Sequence, residues 1–230
     1  MDDQDILRID HDGAIAIVTM NDPARLNAYS PGMKGRLAKS FADLMQNPDV
    51  RSIILTGAGG NFSAGGDIRS FPEMSTIELR DMLQESQTLI RSIMSGPKPV
   101  IAAVEGHAHG AGLSLTAASD YVVAAAGAKF SAAFIKLGLV PDVSLMWTLP
   151  QKIGLGRAKP MLSLGTAIDA KEAHEAGLVN DLTENGAALE RAMDVARRYA
   201  QGAPVAQALV KAAFANGMPT LADVWRTELD

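Results

Sequence analysis

Phe62-Ser63-Ala64-Gly65-Gly66-Asp67-Ile68 and Gly106-His107-Ala108-His109-Gly110-Ala111-Gly112 are two glycine-rich stretches far apart in the chain. Each follows a strongly apolar run and each leads into residues of helical character. A strand that ends in such a loop and passes into a helix leaves the first N–H groups of that helix without internal partners, at the positive end of its dipole. Small side chains let donors from two loops converge on one acceptor, and two N–H groups aimed at a carbonyl oxygen form an oxyanion hole. Either loop alone also reads as a plain strand-to-helix connection. The recurrence of the strand, loop and helix unit points to an α/β chain with a carbonyl-polarising site.

Working outward, Ile6 to Asp10 and Ala14 to Met20 read as strands joined at His11-Asp12-Gly13, where the Asp-Gly pair signals a hairpin. Pro31 to Gln46 carries Met33, Leu37, Phe41, Leu44 and Met45 at helical spacing and stops at Asn47-Pro48; Ser52 to Thr56 follows as a buried strand. Ile77 to Met94 is a second amphipathic helix ended by Ser95-Gly96-Pro97. Pro99 to Val104 is an apolar strand feeding the second glycine-rich loop. Leu113 to Ser119 is expected as helix and Tyr121 to Ala125 as strand. From Ser144 onward helix is expected throughout, except at Leu178 to Asp181.

Composition narrows the function classes. A chain of 230 residues with 47% hydrophobic and 20% charged residues can bury one substantial core. It has no cysteine, hence no disulfide framework and no thiol nucleophile. The polar start Met1-Asp2-Asp3-Gln4-Asp5 has no secretory apolar region, so a cytoplasmic location is expected, and no stretch is long enough to span a bilayer. A formal charge of -5 argues against nucleic acid as a partner.

Asn21-Asp22-Pro23-Ala24-Arg25-Leu26-Asn27-Ala28, Phe62 to Ile68, Lys98 to Gly106, and Leu137-Gly138-Leu139-Val140-Pro141-Asp142 resemble, in order and over nearly the whole chain, the successive segments of the enoyl-CoA hydratase/isomerase (crotonase) superfamily. The resemblance implies a ClpP-like spiral of repeated ββα units. It also implies a C-terminal helical region that drives trimers, often paired into dimers of trimers. On this reading residues 1–195 form the spiral core and 196–230 the helical region, shorter than is usual in the family. The implied ligand is an acyl-CoA thioester, with coenzyme A as part of the substrate and no separate cofactor.

Carried over by resemblance, the N–H groups of Gly66 and Ala111 hold the thioester oxygen, with Ala64, Gly65 and Gly110 shaping the hole. Asp67 and Ile68 match the stretch that wraps the adenine, Arg25 with Ala24 and Leu26 matches the other wall, and Ala28 is expected among the substrate-binding residues. Asp67 also suits the N-cap of a following helix. Arg25, Lys34 and Lys98 are candidates for the CoA phosphates and read equally as solvated charges.

The acid/base position departs from the hydratase pattern. Hydratases of the superfamily place two glutamates where this chain has Ser114 and Phe134, so both are expected at the substrate. Asp142 remains. Phe130 to Pro150 resembles the epoxyphenylacetyl-CoA isomerase branch, which also interconverts 3-enoyl and 2-enoyl thioesters, and there an aspartate matching Asp142 shuttles the proton. Apolar neighbours should raise the pKa of Asp142 toward that of a useful base; from the residues alone it also reads as a turn or N-cap aspartate. Val143-Ser144-Leu145-Met146 replaces the glycine-rich residues usual after the aspartate and implies a bulkier wall. The methionines Met74, Met82 and Met94 suit either an adaptable acyl pocket or plain core. His107 and His109 lack the carboxylate or cysteine partners of a metal site, and Glu105 replaces a residue that is usually neutral.

Overall fold

The computed structural model describes residues 6–67, 75–217 and 220–229. The chain opens with the hairpin β1 (Leu7–Asp12) and β2 (Ile15–Met20), closed at Gly13, whose φ of 57° lies in the left-handed region. Helix α1 (Pro31–Gln46) begins as its sequence dictates: Ser30 accepts the Met33 N–H, and Pro31 occupies a position where no amide bond is needed. β3 (Ser52–Gly57), α2 (Thr76–Ser95), β4 (Val100–Val104), β5 (His107–His109), α3 (Ala111–Ala118) and β6 (Tyr121–Ala125) follow. Then come β7 (Lys129–Ser131), α4 (Leu145–Leu164), β8 (Ala167–Asp169), α5 (Ala170–Ala176), β9 (Asp181–Thr183), α6 (Ala188–Gln201), α7 (Pro204–Asn216) and α8 (Leu221–Leu229). α4 is interrupted at Gly154, whose backbone is not helical.

Among the described residues six strands form one sheet in the order β1-β2-β3-β4-β6-β9, and within it only the β1–β2 pair is antiparallel. β4 is apolar at every position and β3 at its centre, Ile53 to Leu55, because both faces are covered. Ile53, Leu55, Ala102 and Val104 turn into the main core with Phe41, Phe62 and Leu89, whereas Ile54, Ile101, Ala103 and Val123 meet Ala192, Val195 and Ala196 of α6. One helix thus covers one face. Burying each such Ile or Val contributes about 1.5–3 kcal/mol, and the Ser52 hydroxyl adds a tether to the Ala196 carbonyl at 3.1 Å.

A second sheet, β5-β7-β8, is built from three-residue strands. Two expectations for the second half of the chain are corrected. The region after Ser144 is not helical apart from Leu178 to Asp181: β8 precedes it, and the strand there is Asp181–Thr183. Strands this short carry no readable alternation and exist because a neighbour supplies the ladder. α3 starts at Ala111, two residues before the expected Leu113, because Gly110 is its N-cap. The boundary drawn at 195/196 falls inside α6, whose Val195 and Ala196 are both buried against the sheet. Among the described residues no helix is long and apolar enough to cross a membrane.

Candidate active site

The two glycine-rich loops lie side by side. Ser63 donates its N–H to the His107 carbonyl at 2.8 Å and accepts the His109 N–H at 2.9 Å, so residues 62–66 run alongside β5. The chains approach too closely for side chains at the crossing. A Cβ on Gly65 (φ 95°) would sit 2.7 Å from the His109 carbonyl oxygen, and one on Gly112 would sit 2.6 Å from that of Ser63. Gly110 adopts φ 51° and ψ -118°, a backbone that suits only glycine. The result brings Gly66 beside Ala111, the first residue of α3. Among the described residues neither N–H takes part in the backbone hydrogen bonds that tie the two loops together.

The segment carrying Arg25 and Ala28 buttresses the first loop. Asn27, fully buried at φ 54°, donates its side-chain amide to the carbonyls of Ala58 and Asn61 and accepts the Asp22 N–H at 2.9 Å. Its carbonyl accepts the Ser63 hydroxyl at 2.7 Å, and the Leu26 carbonyl accepts the Ala64 N–H at 2.9 Å. Tyr29 then pairs with the loop, its N–H donated to the Gly65 carbonyl at 2.8 Å.

These elements enclose a cavity of about 520 Å³. Ala64, Gly65, Gly66, Gly110 and Ala111 form one wall; Phe134, Leu137, Leu139, Val140, Pro141 and Asp142 form another; Tyr29, Lys34 and Met82 close the floor. Asp142 is the sole carboxylate on this lining among the described residues. Burial pushes its pKa up, and the Lys34 ammonium pulls it partly back. Its backbone is not that of an N-cap: Ser144 holds that position before α4, with no side-chain cap bond. Val143 and Ser144 both lie in the left-handed region, at φ 52° and 61°. Two consecutive non-glycine residues there cost about 1–2 kcal/mol each. The turn they make buries Val143 while Asp142 faces the cavity.

Several expectations need correction. Ser114 does not line the cavity: it is fully buried, and its hydroxyl lies 3.3 Å from the Gly110 carbonyl and 3.2 Å from that of Asp142. Its place is between the start of α3 and the main chain of Asp142, which it helps to position. Lys98 does not face a phosphate, because its ammonium donates to the Leu44 and Asn47 carbonyls at the end of α1. Arg25 and Ala28 lie off the cavity lining; Arg25 is exposed, 3.6 Å from Asp22, and Ala28 is buried. Asp67 is half-buried at the loop edge; α2 is capped instead by Ser75 in a box with Glu78. Ile68 and Met74 lie outside the described residues. Met82 lines the cavity, whereas Met94 does not.

Lys34 was legible only as a surface or phosphate-facing charge, yet it is 4% exposed and lines the cavity. Its position three residues before Leu37 and seven before Phe41, on the apolar stripe of α1, was the available signal. Glu105 also gains a role. Its carboxylate accepts the N–H groups of Gly186 (3.0 Å) and Ala188 (3.1 Å), capping α6, which has no side-chain cap of its own. His109 bonds Ser131 through Nδ1 at 2.9 Å, outside the cavity lining. A larger cavity of about 770 Å³ lies at the far end of α3. Its charged groups are already satisfied, Lys211 by Asp120 at 2.6 Å and Lys152 by the Ser119 carbonyl at 3.0 Å.

Residues 10–228 match the family model described as enoyl-CoA hydratase/isomerase. The chain belongs to that family. It is 34% identical over 220 residues to a 1,2-epoxyphenylacetyl-CoA isomerase of Escherichia coli, covering 94% of this chain and 83% of the relative. To a short-chain-enoyl-CoA hydratase of Clostridium acetobutylicum it is 34% identical over 211 residues, covering 91% of this chain and 81% of the relative. The enoyl-CoA hydratase of Bacillus anthracis superposes with a TM-score of 0.91 at 30% identity, covering 97% of this chain and 88% of that one. The family's crotonase fold and acyl-CoA chemistry therefore hold here, whereas relatives of near-equal identity carry both isomerase and hydratase names.

Proposed function

We propose that this enzyme moves the C=C bond of an enoyl-CoA from the 3,4 to the 2,3 position through a dienolate. One observation supports the reading: among the described residues a single carboxylate, Asp142, lines the same cavity as the amide pair of Gly66 and Ala111. Asp142 removes a proton from C2, and the electron pair moves onto the thioester oxygen. The two N–H groups stabilise the resulting oxyanion, roughly 3 kcal/mol per donor. The protonated carboxyl returns the proton at C4, the electrons flow back, and the carboxylate is regenerated. Burial of Asp142 raises its basicity, in keeping with this role. Hydration wants a second acid/base carboxylate, and the lining offers none among the described residues. Coenzyme A enters as part of the substrate, with no further cofactor, and the trimer or paired trimers of the family is the assembly we assign, in the cytoplasm.

The test is incubation with a 3-enoyl-CoA and a 2-enoyl-CoA in deuterated water, followed by mass spectrometry. Bond migration without added water is expected, with a kcat/KM that rises with pH through a pKa above that of an ordinary aspartate, since the base must be ionised. A gain of water would establish hydration instead. Binding without turnover of either compound would mark a non-catalytic acyl-CoA-binding protein.

A further inference from the structure

Among the described residues, Lys34 is the one charged cavity residue that the isomerisation leaves unused. Its ammonium lies 5.2 Å from the centroid of the Tyr29 ring. That ring is held beneath it by a 3.3 Å bond from the phenol to Ser86, which is itself bonded to the Met82 carbonyl at 3.0 Å. Lys34 is 4% exposed, and what exposure it has opens onto the cavity. Asp142 and Glu85 act on it through space, yet among the described residues its ammonium makes no hydrogen bond or ion pair. Burial draws its pKa down to about 8.

An ammonium has three donors and no acceptor, and it is costly to press it against hydrocarbon. An all-hydrocarbon acyl chain filling this cavity would do that. The thioester oxygen cannot serve Lys34, since the Gly66 and Ala111 amides take it. A second carboxylate on the ligand is disfavoured as well, because Asp142 and Glu85 already direct two negative charges at one ammonium. We infer from this juxtaposition that the cavity takes acyl groups carrying a neutral oxygen acceptor, an oxo, ether or hydroxyl group beyond the thioester, and that Lys34 recognises it. This inference rests on the acyl-CoA reading of the site.

Calorimetric titration with 4-oxopentanoyl-CoA and pentanoyl-CoA tests it without requiring turnover. The ketone only accepts hydrogen bonds, so Asp142 as a carboxylate cannot contribute to the difference. The unaltered enzyme should bind the oxo compound roughly tenfold or more tightly, the value of a hydrogen bond to a charged donor. Lys34→Met should bring the ratio near one, and Lys34→Gln, which keeps a neutral donor, should leave it in between. The ratio cancels any general loss of affinity from disturbed packing. A ratio near one in the unaltered enzyme, or a ratio that survives Lys34→Met, would overturn the assignment while leaving the acyl-CoA reading standing. Failure of both thioesters to bind would sink the two together.

Discussion

The amide wall and the acid wall of the cavity are made by different means. On the first, Gly65 and Gly110 bring two backbones together where a Cβ or an ordinary φ would not fit, and the functional groups are the main chain itself. On the second, Asp142 comes from the turn before α4, Lys34 from α1 and Tyr29 from the segment just before α1, and the proposed functional groups are side chains whose chemistry depends on burial. The first wall is set by backbone conformation and main-chain hydrogen bonds between its two loops and the 26–29 segment. The second exists only after elements about a hundred residues apart have packed.

The contrast breaks most sharply at Asp142. Asp142→Asn should lower kcat by about 10²–10⁴-fold, the usual contribution of an acid/base group, with the Kd for a saturated acyl-CoA unchanged within a few fold. Stopped-flow rates and titration together check this, and a large loss of affinity would mean that the two walls do not divide chemistry from oxygen binding. The amide wall can be attacked without touching a side chain. Ala111→Pro removes one N–H at a helix position that accepts proline, so the fold should persist while kcat falls about 10²–10³-fold. Circular dichroism with turnover would show whether rate is lost at constant helicity. The smallest expected effect lies in the turn behind the acid wall. Ser144 is exposed, has φ 61° and makes no cap bond, so Ser144→Gly should relieve strain and raise stability by about 0.5–1 kcal/mol, read as a higher thermal midpoint.

The same division explains what the sequence disclosed. α1 was legible to its end residues because Ser30, Pro31 and the stop at Asn47-Pro48 are local signals, and the hairpin and β3, β4 and β6 followed from turn residues and apolar runs. β5, β7 and β8 were not, since three residues show no period and their ladders join positions as distant as Phe130 and Ile168. In the site, the glycine loops announced themselves, whereas Lys34 looked like any helix lysine until its neighbours across the α1 and α2 interface were known. Ser114 failed for a related reason: its position in the chain matched a substrate-facing residue, but its small hydroxyl is satisfied by carbonyls behind the wall.

The carboxylate of Glu105 reaches from the lip of the second glycine loop to the first amides of α6, the helix that covers the other face of the sheet. A graft of the 105–112 loop into a relative therefore cannot be treated as an exchange of eight surface residues. Without the matching 186–188 turn, the donor's glutamate would arrive with no amides to hold it and the host's helix would begin uncapped. For anyone recombining members of this family, the two stretches are one heritable part, separated by some eighty positions of sequence and joined by a single side chain.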